Sequence, residues 1–177
     1  MIANERDLRE EQALDIAKKM LVAARTAPKG KGFDIIECAV VTLNDKEALA
    51  AEMEAYSEEC GLKFLLRDAN NVRQSQCVVL VGTRTQVQGL NCAHCGFPTC
   101  TEKPDAVPCE INSVDVGIAL GSAAATAADL RVDTRIMFSA GMAAQRLKML
   151  GDDVKQVYAI PISIASKSPF FDRASQR

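Results

Sequence analysis

The sequence predicts a single domain of mixed helices and strands built around one long apolar helix, and three observations point there. At 177 residues the chain matches one domain, taking about 150 residues per domain as the usual length. Short β-branched runs alternate with segments whose apolar residues recur every three or four positions, the signatures of strand and helix. Ser113 to Leu130 has almost no polar side, which marks a helix buried all round. A chain of this mass folds to roughly 8,400 Å² of surface against roughly 27,700 Å² unfolded, so about 70% of its surface is buried without disulfides or metal. Its cysteines are therefore free for other work.

In chain order, Asp7 to Ala27 carries Ala13, Ile16, Ala17, Met20, Ala24 and Ala27 as one helical stripe, with Asn4 as N-cap and Pro28, Gly30 and Gly32 ending it. Ile35 to Leu43 is nearly continuous and apolar, as expected of a strand covered on both faces. Asp45 to Cys60 is a helix with Leu49, Met53 and Tyr56 on one face, stopped by Gly61. Arg67-Asp68-Ala69-Asn70-Asn71 is polar between apolar runs and reads as a turn using Asn chemistry or as a site. Gln76 to Val81 is a second buried strand, closed by Gly82. From Thr83 to Asn112 the periodicity disappears and four cysteines, three prolines and the single His crowd into a loop, an insertion within the domain 1–177. The apolar helix follows. It is no membrane span, because Asp115, Ser122, Thr126 and Asp129 leave it short of the roughly 20 apolar residues a bilayer needs. A strand near Thr134 to Phe138, a helix from Met142 to Leu150 and a strand from Val157 to Ile164 complete the pattern, and Lys167 to Arg177 has none.

A net charge of -2 supplies no field for a polyanion, which excludes nucleic acid as a main partner. Met1 to Glu11 is polar where a secretory segment is apolar, so the sequence reads as cytoplasmic, with reduced thiols. Seven cysteines is also an odd number, which argues against a disulfide framework. Cys38 and Cys77 lie in apolar strands and read as core packing; Cys60 ends a helix. Cys92, Cys95 and Cys100 stand at C-x2-C-x4-C spacing, with Cys109 as a fourth thiol. Four thiolates suit a 4Fe-4S cluster or tetrahedral zinc, and both are soft-ligand cases. Zinc sites more often pair two C-x2-C knuckles, and only one is present here. Uncoordinated thiols are the remaining alternative. His94 within the loop reads as a solvated side chain. No carboxylate pair, Ser/His arrangement or P-loop emerges, so any redox activity rests on cofactors.

The loop GLNCAHCGFPTC with its later Cys, the helix DVGIALGSAAATAADL, RTAPKGKG after the first helix, FLLRDANNV and the closing IPISIASKSPFFDR together resemble a family of bacterial and archaeal ferredoxin-domain proteins of unassigned function. That family is in turn similar to the flavin-dependent nitroreductases. The resemblance implies an α+β fold, an antiparallel-type sheet sandwiched by helices, and a homodimer with FMN at its interface. It also implies Cys92, Cys95, Cys100 and Cys109 as cluster ligands and an iron-sulfur redox protein with an unknown redox partner. The nitroreductase phosphate-gripping Arg-Arg-Ser-x-Arg segment has no equivalent before the first helix. The residues after Ala27-Pro28 differ as well, so the usual flavin contacts do not carry over. In their place Arg25, Lys29, Gly30 and Lys31 suit a phosphate, with cations alternating with unhindered amides. The competing reading is a helix C-terminus whose cations complement the dipole.

Overall fold

The computed structural model describes residues 2–171. α1 runs over Glu5–Thr26, and the Asn4 side chain caps it by accepting from the Arg6 amide at 3.0 Å. A short 3-10 turn at Gly30–Gly32 leads to β1, Ile36–Val41. α2 covers Leu43–Cys60 and α3 Phe64–Gln74; β2 is Cys77–Arg84. After the cysteine loop come α4, Glu110–Asp129, then β3, Asp133–Thr134, α5, Phe138–Arg146, and β4, Val154–Ser163. The four strands form one antiparallel sheet in the order β1-β2-β4-β3.

Helices cover both faces of that sheet, which explains why β2 reads as a continuous apolar run. Cys77, Val79 and Val81 enter a layer with α1 and α4, while Val78 and Leu80 enter a layer with α2, α3 and α5. The first layer is built from small residues: Ala13, Ala17 and Ala24 lie with Ala119, Ala123 and Ala127 in one buried cluster. Small side chains let the two helices approach closely, and the Ser122 hydroxyl donates to the Ala23 carbonyl at 3.0 Å. In the second layer α5 lies so close to β4 that a Cβ on Gly141 would fall 1.9 Å from the Val157 carbonyl oxygen, so no other residue fits there. Cys38 and Cys77 pack as expected, and burial pushes their thiols up to about 11 and about 12.

Several elements differ from the sequence expectation. Arg67 to Asn71 is not a turn but the middle of α3, whose Leu65, Ala69 and Val72 are buried at helical spacing. Its polar residues conceal the pattern because a tertiary partner satisfies them: the Ser139 hydroxyl of α5 donates to Asp68 Oδ2 at 2.6 Å. β2 continues through Gly82 to Arg84, with a register shift between Val81 and Thr83. The strand expected at Thr134 to Phe138 shrinks to two residues and a bridge at Met137, and α5 starts four residues earlier than Met142. Phe170 gives the tail a core contact at 2% exposure, whereas residues 172–177 lie outside the described residues.

The largest correction concerns α4, which is buried on one side only. Val114 and Ile118 are 47% and 40% exposed, and Gly117, Gly121 and Ala125 share that outward face. The helix is long and apolar enough to cross a membrane, with a mean hydropathy of 1.2. Its other face, which carries Asn112, Asp115, Val116, Ala119 and Ala123, is buried in the protein.

Candidate functional site

Between β2 and α4 the chain has no regular structure, and its shape comes from turns. Asn91, Ala93 and Gly96 adopt positive φ values of 47°, 59° and 87°, which reverse the backbone around Cys92 and Cys95. The Gly96 amide donates to the Ala93 carbonyl at 2.9 Å. Asn91 and Cys100 hold each other: the Cys100 amide donates to Asn91 Oδ1 at 2.8 Å and the Asn91 amide to Cys100 Sγ at 3.4 Å. Lys103 closes the later turn by donating to the carbonyls of Pro104 and Val107 at 2.9 and 2.6 Å.

Cys92 is exposed, Cys95, Cys100 and Cys109 are half-buried, and all are free thiols. Cys109 is the N-cap residue of α4, at the positive end of the helix dipole. The loop therefore collects the four candidate ligands in one stretch. Among the described residues no three His, Cys, Asp or Glu side chains converge on a common point. The donor set itself fits a thiolate-ligated centre: four cysteines in a turn-rich loop and, at Cys100, an amide directed at sulfur. His94 is exposed.

The root of the loop is fastened by polar groups that sequence reasoning missed. Asn112, 2% exposed, accepts from Gln88 Nε2 at 3.0 Å and donates to the Gln86 carbonyl at 2.6 Å, so both ends of the loop meet on one side chain. Gln88 Oε1 is buried without a hydrogen-bond partner among the described residues. Asn112 and Asp115 stand three apart on an otherwise apolar helix, and that spacing was the available signal of a shared buried polar face.

Asp115 also reaches the second candidate region, the turn after α1. Both its carboxylate oxygens accept from the Gly30 amide at 3.0 Å. Lys29, whose side chain is 4% exposed, donates to the Ala24 carbonyl at 2.9 Å and to the Arg25 carbonyl, capping the C-terminus of α1. Arg25 pairs with Asp34 at 2.8 Å and donates to the Ile36 carbonyl at 2.7 Å, while Lys31 donates to the Gln88 carbonyl at 3.0 Å. The structure thus gathers Arg25, Lys29, Gly30 and Lys31 in one place, each with an internal partner. Burial raises the Asp115 carboxyl above its ordinary value, opposed by the Gly30 amide and Lys29. At Asp34 burial also acts upward, but the Arg25 hydrogen bond and the Ile36 amide outweigh it and hold the carboxyl low.

Known proteins resemble the chain in sequence and in fold. Residues 105–173 match a family described as uncharacterized proteins containing a ferredoxin domain, a stretch that includes Cys109 but not the other three loop cysteines. Over the full length of both chains, 42% of residues are identical to an uncharacterized protein of Archaeoglobus fulgidus. Among solved structures, an FMN-dependent nitroreductase from Clostridium difficile superposes with a TM-score of 0.57 at 13% identity, covering 86% of this chain and 76% of that one. A nitroreductase-like protein from Streptococcus mutans gives 0.56 at 15% identity over 91% and 83% of the two chains. A nitroreductase family protein from Clostridium novyi gives 0.54 at 14% identity over 93% and 76%. At such identities the likeness is one of fold.

Proposed function

The chain belongs to the family of proteins containing a ferredoxin domain, and from that premise we propose that it is an iron-sulfur redox protein with Cys92, Cys95, Cys100 and Cys109 holding a 4Fe-4S cluster. The observation that carries this reading is four free thiols in one turn-rich loop whose two ends are pinned to a single buried Asn112. When bound, such a cluster supplies one-electron chemistry at a potential tuned by hydrogen bonds to its sulfurs and by solvent exposure. The chain's own part is to hold it. Asn91 orders the turn through the Cys100 amide, Asn112 closes the loop root, and the exposure of Cys92 keeps the site near the surface for a redox partner.

No flavin phosphate is assigned to the turn after α1. Lys29, whose side chain is 4% exposed, donates to the end of α1 and a carboxylate occupies the Gly30 amide, while Arg25 and Lys31 pair at the exposed surface, so this turn adds no support for a bound flavin. The redox reading therefore rests on the cysteine loop.

A homodimer through the outward face of α4 accompanies this reading. Val114, Gly117, Ile118, Gly121 and Ala125 form an apolar stripe left exposed by the described residues of one chain. Purification without oxygen, followed by absorption spectroscopy and iron, sulfide and zinc analysis, tests the cluster: a broad brown absorption with iron and sulfide is expected. A colourless zinc protein overturns the redox reading, and sedimentation as a monomer overturns the dimer.

A further inference from the structure

Lys103 is 8% exposed, which is rare for a lysine, because an ammonium that leaves water usually takes an anion with it. This one does not. It donates to the carbonyls of Pro104 and Val107 at 2.9 and 2.6 Å, neutral acceptors that satisfy its hydrogens and leave its charge. Of the carboxylates beside it in the chain, Glu102 accepts from the Thr99 hydroxyl at 2.7 Å and Asp105 is exposed. Among the described residues no carboxylate pairs with the Lys103 ammonium, so a buried cation stands without a counter-charge.

Its place in the chain says what that counter-charge is. Lys103 lies between Cys100 and Cys109, inside the run of candidate ligands. Two peptide units separate Val107 from Cys109, so the hydrogen bond to the Val107 carbonyl puts the ammonium within about 10 Å of the Cys109 backbone. Cysteines ligate as thiolates, so a centre held by four of them is anionic, and a 4Fe-4S centre becomes more so when it accepts an electron. Charges that are both withdrawn from water are screened little by salt, and at that range one unit charge changes the balance between two oxidation states.

We infer that Lys103 is the internal counter-cation of the four-cysteine centre, favouring its reduced form and so raising its reduction potential. The inference rests on the iron-sulfur reading. The step it acts on is the passage of one electron from an external donor to the centre: the donor is oxidised, the centre is reduced, and no bond to Lys103 forms or breaks. A lysine that only clasped the turn would act through its two hydrogen bonds, and neutral donors separate the two roles.

The test is a redox titration of the anaerobically purified full-length protein with dithionite and mediators, followed by visible absorption and by the paramagnetic resonance of the reduced form. Lys103→Gln keeps a donor without the charge, Lys103→Met removes both, and Lys103→Arg keeps the charge. The Gln and Met variants are expected to lower the equilibrium constant for reduction about tenfold, a midpoint about 59 mV more negative for one electron, while Arg stays close to the parent. Parent potentials in the Gln and Met variants overturn the inference, and so does an equal shift in all three, which is what a turn clasp produces. Where a variant fails to hold its centre, iron content decides: loss from Gln and Met but not from Arg supports the counter-charge, and loss from all three overturns it. Iron and sulfide in the parent without any dependence on the charge at position 103 overturn the role of Lys103 alone. A parent without iron overturns the redox reading and the inference with it.

Discussion

The turn after α1 and the cysteine loop carry the two sets of groups that stand out chemically, and the fold treats them in opposite ways. In the turn, Arg25, Lys29, Lys31 and the Gly30 amide all donate to acceptors within the protein. In the loop, the thiols of Cys92, Cys95 and Cys109 make no hydrogen bond with the described residues, and only Cys100 accepts one. The difference follows from desolvation. A cation or amide that leaves water without a partner is costly, so the buried Lys29 ammonium and the Gly30 amide must be satisfied internally, whereas the exposed Arg25 and Lys31 pair at the surface. A thiol is a weak donor and acceptor that tolerates a half-exposed loop without partners. Groups that the fold does not need are the ones left for a ligand.

Four changes break or sharpen that contrast. The largest effect is expected from replacing Cys92 and Cys95 together by Ser: bound metal falls to near zero by elemental analysis, while the thermal melt shifts by only a few degrees, about that of a ~1 kcal/mol change. Unfolding of that variant would show the loop to be structural, and retained metal would move the ligands elsewhere. Next is Gly30→Ala in the turn. Its Cβ would lie 2.5 Å from Ile111 Cγ2, and overpacking of that kind costs about 1–3 kcal/mol, read from the urea midpoint.

Smaller is the pH effect of Asp115→Asn. Because the folded carboxyl of Asp115 is raised, its contribution is full below about 3.8, the ordinary value, and declines as pH rises through the folded value. Asp34, held low, works the other way: its contribution is present above about 3.8 and is lost as pH falls through its folded value. Unfolding midpoints followed from about pH 3 to about pH 7 are therefore expected to show the Asn variant gaining on the parent as pH rises. Parallel curves would mean that the Asp115 carboxyl is not perturbed by its burial. The smallest effect belongs to Arg25→Ala. The Arg25 side chain is 47% exposed and its partner Asp34 32%, so solvent screening limits the loss to below about 1 kcal/mol. A larger drop would make the turn a keystone of the fold rather than a satisfied junction.

The same contrast shows why some regions are easier to read from sequence than others. α1 and α2 were legible because one helix face does the burying, and Asn4 and Gly61 mark their ends by local chemistry alone. β2 was legible because both of its faces are covered. α3 was not, because Asp68 is satisfied by Ser139, 71 positions away, and no local pattern signals such a partner. The four loop cysteines were identifiable by spacing, whereas Asn112 and Gln88 gained their roles only when folding brought the two ends of the loop together.

By itself, then, the sequence determined the periodic helices, the apolar strands covered on both faces and a four-thiol loop, because each depends on residues near one another in the chain. Tertiary structure alone decided that Lys29 and the Gly30 amide are satisfied inside the protein and that α4 keeps one apolar face uncovered among the described residues. Hydrogen-bond satisfaction and burial are properties of which surfaces meet, and those meetings join residues far apart in the chain, as the hydrogen bond between Ser122 and Ala23, 99 positions apart, shows.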